Sequence, residues 1–183
     1  MVTLTDIDII QLLRKNRLNQ DTLHEDVVAK LRELGLKVAT AESCTGGLLS
    51  ERITRVSGSS EVFDCGVCSY ANDIKSKVLG VSEETLAVLG AVSAETAIQM
   101  AEGVKKLSGA DIAVSTTGIA GPTGGTAEKP VGLVFVGVCT KDKAYAVKLM
   151  LGGVNTVNSR AYIRRLASDA ALFTVLSECH NLK

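Results

Sequence analysis

The sequence predicts an α/β fold in which a mixed sheet carries helices on its faces. Three observations lead there. Strand and helix patterns alternate early in the chain. The last two strand patterns are adjacent and joined by a short polar turn. Finally, 183 residues with 46% hydrophobic and 22% charged composition suit one domain with a full core. Alternation favours parallel strands joined by crossover helices, whereas adjacency favours an antiparallel hairpin.

From the N-terminus, residues 5–13 read as a short helix with Thr5 as cap and Ile7, Ile10 and Leu13 on one face. Residues 15–21 read as a polar connector. A second helix covers 23–34, with Leu23, Val27, Leu31 and Leu34 at helical spacing and Gly35 as its stop. A strand at 37–42 runs into Ser43, Cys44, Thr45, Gly46 and Gly47, and a helix comes next over 47–56. Residues 57–60 form a loop. Residues 62–70 read as a strand, small and apolar on both faces. Two short helices at 71–79 and 82–89 break at Gly80, and a longer one at 93–107 has Ser93 as cap and Gly109 as stop. A strand at 112–117 opens into a long loop, 118–131, which holds both prolines of the chain and four of its glycines. A hairpin of strands 132–139 and 144–151 comes after it, and a helix at 157–176 closes the fold.

Composition excludes several functions. Twenty Lys and Arg balance 20 Asp and Glu, which argues against binding a nucleic-acid backbone. An aromatic content of 3% with no Trp argues against a base-stacking surface. No apolar run reaches the roughly 18 residues of a membrane span. The N-terminus lacks a basic start and does not read as a signal peptide. The expected compartment is the cytoplasm, where the five Cys would be reduced thiols.

Ser43 sits at a strand-to-helix turn, where the helix dipole and free N–H groups favour developing negative charge. The competing reading makes Ser43 or Thr45 a helix cap and nothing more. A serine nucleophile needs a base, yet His24 and His180 lie near opposite ends, the latter in a polar tail expected to fray. A buried lysine is the remaining common activator, and Lys75 and Lys77 follow Tyr70 across a strand end. Cys65 and Cys68 lack the further ligands of a zinc site and read as two small buried sheet residues. Cys44 is a rival nucleophile, but of two adjacent turn residues one usually points inward. Thr116, Thr117 and Gly118 sit at a strand end, where ligands bind in open α/β sheets. The loop after them matches no phosphate-binding signature, though its amides could cradle a phosphate. Arg160, Arg164 and Arg165 either bind an anion or pair with surface carboxylates.

Five runs, in order, carry a resemblance. They are TAESCTGG from Thr40 to Gly47, SYANDIK from Ser69 to Lys75, GAVS from Gly90 to Ser93, TGIAGPTGG from Thr117 to Gly125, and KPVG from Lys129 to Gly132. Together they resemble the CinA C-terminal domain family, whose characterised members are nicotinamide mononucleotide (NMN) deamidases. The resemblance runs from about Leu23 to Leu176. It implies a three-layer α/β sandwich over residues 22–183, with residues 1–21 as an N-terminal helical extension. It implies a homo-oligomeric amidohydrolase that uses neither metal nor cofactor and takes a pyridine mononucleotide, with no nucleic-acid or membrane partner. The reaction would convert NMN to nicotinic acid mononucleotide and ammonia.

Carried onto matching positions, Ser43 would be the nucleophile, and Tyr70 and Lys75 would relay its proton, with Lys75 the base. Thr45, Gly46, Gly47 and Thr117 would surround the amide and its oxyanion. The loop with Gly118 and Gly121 would hold the nucleotide together with Arg160 and Arg164, which match the family's paired arginines. The segment from Gly152 to Ser159 departs from the family in being longer and in carrying Ser159 where an acidic residue is usual. The larger N-terminal domain of full-length members, and its pyrophosphatase activity, are not expected here. The alternative function is a non-catalytic nucleotide- or protein-binding module of the same family.

Overall fold

A computed structural model of the protein describes residues 3–152 and 159–182. Six strands form one sheet: β1 (Thr3–Thr5), β2 (Val38–Glu42), β3 (Phe63–Cys68), β4 (Ile112–Gly118), β5 (Leu133–Cys139) and β6 (Ala144–Met150). Their spatial order is β1-β6-β5-β4-β2-β3. Pairing is parallel except at β5, which runs against β4 and β6. The helices are α1 (Asp6–Lys15), α2 (Leu23–Leu34), α3 (Leu48–Thr54), α4 (Asn72–Leu79), α5 (Glu83–Val88), α6 (Ala94–Ser108) and α7 (Ser159–Asn181). No described helix is long and apolar enough to cross a membrane.

The sheet is buried on both faces, so its central strands are apolar on both. Val38, Ile112, Val114, Val134, Val136 and Val138 join the core formed with α1, α2, α3 and α7. Ala39, Ala41 and Ala113 alternate with them and pack with Met100, Ala101 and Val104 of α6. Small residues on that side let α6 approach closely. A Cβ at Gly137 would come within 2.1 Å of the Ala97 carbonyl oxygen, so α6 could not lie where it does over any other residue. The result is a three-layer mixed-sheet fold, as the residue patterns predict.

Some expectations need correction. The chain before α1 is a strand: β1 pairs in parallel with β6 at Lys148, Leu149 and Met150. Three residues are too few to show a period of two. Helix α1 begins at the predicted cap, where Thr5 and Asp8 form a capping box. It buries Ile9 and Leu13, however, and leaves Ile7 55% exposed. Strand β3 lies at the sheet edge, so Cys65 is only half-buried and Cys68 is exposed. Helix α7 runs on to Asn181, because Val175, Leu176 and Cys179 are buried, and it carries His180 in its last turn instead of a frayed tail. The start of the predicted closing helix, Val157 and Asn158, lies outside the described residues.

Helices α3 and α7 are joined by a buried ion pair. Arg52 donates to Asp169 at 2.8 Å, to the Ser168 hydroxyl at 2.8 Å and to the Gln20 carbonyl at 2.8 Å. Arg165 pairs with Asp21 at 3.0 Å, which settles its role as an ion-pair partner of the connector. His24 of α2 is buried beside this network, and its Nδ1 has no partner among the described residues.

Burial pushes the His24 imidazole below its ordinary value. Arg52, Arg55 and Arg165 act in the same direction, while Glu25 opposes them. The unfolded chain therefore binds a proton near pH 6.5 that the folded protein accepts only at lower pH. Stability from this group is complete above about pH 6.5 and is lost as pH falls toward the folded pKa. Unfolding free energies from urea titrations between pH 8 and pH 5 should fall on acidification, with a slope of at most about 1.4 kcal/mol per pH unit from this one proton. The variant His24→Gln should flatten that slope; an unchanged slope would assign the pH dependence elsewhere.

Candidate functional site

Strand β2 lies between β3 and β4, parallel to both, so the C-terminal ends of all three meet at one edge of the sheet. Glu42 is level with Cys68 on one side and Thr116 on the other. The ladder continues past the strands: Ser43 N–H donates to the Thr116 carbonyl at 2.8 Å, and Ser69 N–H to the Glu42 carbonyl at 2.9 Å. Ser43, Tyr70 and Thr117 are thereby brought to one place.

A cleft of about 200 Å³ opens there. Ser43, Tyr70, Lys75, Thr117, Gly118 and Arg160 line it, with Cys44, Asn72, Ala91, Val92 and Ala120. Six of the eleven residues singled out from sequence thus share one cleft. A larger cavity of about 500 Å³ lies between the end of α1, α2 and α7, lined by Asn16, Leu18, Lys30, Phe173 and His180 among others. It holds none of the eleven.

Lys75 projects from α4 and is 1% exposed. Its ammonium donates to the carbonyls of Ser69 at 2.8 Å and Tyr70 at 3.4 Å, and no described carboxylate pairs with it. Burial holds the amine below the ordinary lysine range, while charge on Cys44 or Cys68 would oppose this. Ser43 is half-buried at the turn beside it. The Tyr70 ring is 62% exposed, and its hydroxyl accepts from Arg160 Nη2 at 3.0 Å. Arg160 Nη1 donates to the Gly121 carbonyl at 2.8 Å, so this arginine ties the glycine-rich loop to Tyr70 across the mouth of the cleft. The Thr117 hydroxyl donates to the Ala91 carbonyl at 2.6 Å.

Five of the sequence-derived residues lie outside the cleft lining. Thr45 is fully buried, and its hydroxyl donates to Glu42 at 2.6 Å. Gly47 takes φ +92°, a left-handed value suited to glycine, and its N–H donates to Glu42 at 3.0 Å. Gly46 N–H closes the turn on the Ser43 carbonyl at 3.2 Å. Of the N–H groups at Thr45–Gly47 expected to face an oxyanion, that of Gly47 is taken by Glu42 and that of Gly46 by the Ser43 carbonyl. Arg164 Nε holds the Thr45 carbonyl at 3.1 Å and braces the turn. Gly121 contributes its carbonyl to Arg160. Residues 153–158, most of the segment that departs from the family, lie outside the described residues.

Sequence reasoning missed Glu42, Asn72 and Lys129. The Lys129 ammonium bridges the carbonyls of Leu89 at 2.6 Å and Val92 at 2.9 Å, fixing the cleft wall to the loop. The signal for Glu42 was its position, one residue before a strand-to-helix turn, where a carboxylate can fold back onto free helix N–H groups. No local pattern marks Lys129, whose partners are 37 and 40 residues away.

Cys44 is buried, and burial pushes its thiol up to about 12. It lines the cleft but is buried, whereas Ser43 is half-buried and the more accessible of the two turn residues. Brief treatment of the native protein with iodoacetamide should modify Cys68 first. Cys44, Cys139 and Cys179 should react only on unfolding, as read by peptide mass spectrometry. Early modification of Cys44 would restore it as a rival nucleophile.

A sequence profile of the CinA C-terminal domain matches residues 20–179. The chain is 54% identical over 143 residues to a CinA-like protein of Kosmotoga olearia, covering 78% of this chain and 35% of the relative. It is 49% identical over 151 residues to a CinA-like protein of Chlorobium limicola, covering 82% and 35%. The chain thus spans about a third of the length of these relatives. Among solved structures, the competence/damage inducible protein CihA of Agrobacterium tumefaciens superposes with a TM-score of 0.81 at 42% identity, over 86% of this chain and 94% of that one. A CinA superfamily protein of Escherichia coli superposes with a TM-score of 0.80 at 28% identity, over 87% and 90%. On sequence and on fold, the chain belongs to the CinA C-terminal domain family.

Proposed function

We propose that this domain is an amidohydrolase that cleaves the carboxamide of NMN to nicotinic acid mononucleotide and ammonia. The observation that carries the reading is the buried Lys75 in the same cleft as Ser43, held by carbonyl oxygens with no described carboxylate to keep it charged. Such an amine is biased toward its neutral form and can accept a hydroxyl proton.

In this reading Ser43 attacks the carboxamide carbon as Lys75 takes its proton. The tetrahedral oxyanion collapses when the proton passes to the leaving nitrogen, and ammonia departs. Water then releases the acid from the acyl-enzyme by the same proton transfers in reverse order. A cleft of about 200 Å³ suits the ring and carboxamide, with the ribose phosphate toward Arg160 and the Gly118–Gly121 side of the rim. Tyr70 contributes at the mouth, through the hydroxyl that Arg160 holds. The same reading places the domain in the cytoplasm as a homo-oligomer, using side chains alone.

Purified protein supplied with NMN should release ammonia and nicotinic acid mononucleotide in equal amounts. Ser43→Ala should lower kcat on the order of 10³-fold or more. The wild-type rate should rise with pH as Lys75 loses its proton. The midpoint should lie below the ordinary lysine value of about 10.4, because burial lowers it. Lys75→Met should remove that limb along with the activity. Ammonia at equal rates from wild type and Ser43→Ala, or from neither, would overturn the reading; the second result would favour a binding module without turnover.

A further inference from the structure

The proposed chemistry leaves the buried carboxylate of Glu42 unused. Glu42 is fully buried at the end of β2, and no described cation pairs with it. Five donors converge on its carboxylate instead. Oε2 accepts from the Thr45 hydroxyl at 2.6 Å and from the N–H groups of Gly47 and Leu49, each at 3.0 Å. Oε1 accepts from Ser50 N–H at 2.8 Å and from the Ser50 hydroxyl. A carboxylate is an acceptor at both oxygens, so this set satisfies it. Unpaired helix N–H groups and the helix dipole attract an anion. Here the protein's own side chain fills that site.

The consequence concerns Ser43, which lies between Glu42 and the donors it gathers. Its N–H is fixed to Thr116 and its carbonyl accepts from Gly46. Glu42 closes the ring from the other side by binding Thr45, Gly47, Leu49 and Ser50 in the turn and helix beyond Ser43. We propose that Glu42 is a positioning residue. Its carboxylate, by clamping the first turn of α3, sets the backbone at Ser43 so that the hydroxyl faces the cleft and Lys75. The inference rests on the functional reading only in taking Ser43 as the reacting group.

The effect expected is on the reacting geometry and not on substrate binding, since Glu42 does not line the cleft. A displacement of about 1 Å at a reacting atom costs on the order of 10²-fold in rate. Glu42→Gln keeps the shape but turns an NH2 group against N–H donors. Three measurements on wild type and this variant decide the matter: NMN turnover, the rate at which a fluorophosphonate labels Ser43, and the thermal melt. The proposal expects a folded Glu42→Gln whose kcat and labelling rate both fall on the order of 10²-fold, with KM within about threefold of wild type. A folded variant with wild-type kcat and labelling rate overturns it, as does a rise in KM that accounts for the whole loss. If Glu42→Gln does not fold, Ser50→Ala removes one hydroxyl donor; a severalfold fall in kcat at constant KM supports the clamp, and an unchanged kcat overturns it. If wild type labels at Ser43 but does not hydrolyse NMN, the substrate reading alone fails, and labelling rates decide the role of Glu42. If wild type does neither, both proposals fail.

Discussion

Parallel pairing of β2 with β3 on one side and β4 on the other is the constraint that builds the site. With Glu42 level with Cys68 and Thr116, the three strands reach one edge of the sheet together, and the residues at or just beyond their C-terminal ends become neighbours. Ser43 comes from the first, the Ser69–Tyr70 carbonyls that hold Lys75 from the second, and Thr117 with Gly118 from the third. A shift of β2 by one residue would turn every alternate side chain to the other face and carry Ser43 out of line. The core enforces the register, since β2 is buried on both faces and its small Ala39 and Ala41 meet α6 while Val38 and Thr40 face α3 and α7.

Four charges lie inside this frame, and they are satisfied in three different ways. Arg52 and Asp169 neutralise each other, and surrounding hydroxyl, amide and carbonyl groups take up their remaining hydrogen bonds. A pair of this kind ties α3 to α7 more than it adds stability, because desolvation offsets much of the attraction. Glu42 is held by helix N–H groups and hydroxyls, with no counter-ion among the described residues. Among the described residues Lys75 has two carbonyls as partners. The weakest compensation falls on the group that, in the proposed reaction, must lose its charge. Burial that would be a defect in a structural lysine is what a proton acceptor requires.

Much of this was legible in the amino-acid order. Helix α2 begins and ends where the leucine spacing and Gly35 place it, and α6 starts on Ser93. The turn holding Ser43 was visible because a strand pattern meets two glycines and then a helical pattern. Lys75 and Lys77 were both visible as lysines after a strand end, and the family resemblance singled out Lys75. Features that depend on partners distant in the chain were not. Strand β1 exists because β6 offers an open edge, and the exposure of Cys68 results from β3 being the other edge. Arg164 carries the residue type of an anion ligand, and two of its nitrogens also donate to the Thr45 carbonyl 119 residues away. The start of α3 looked like an empty oxyanion site, and Glu42, one residue before the turn, folds back to fill part of it.

The central claim is that the Ser43 hydroxyl forms the bond to the substrate carbon. Rapid acid quench of the protein during NMN turnover, with peptide mass mapping of the quenched sample, addresses that atom directly. The account predicts a mass gain equal to the nicotinate mononucleotide acyl group on the peptide carrying Ser43, with fragment ions placing it on that residue. An adduct on Cys44, or on any residue other than Ser43, would contradict it.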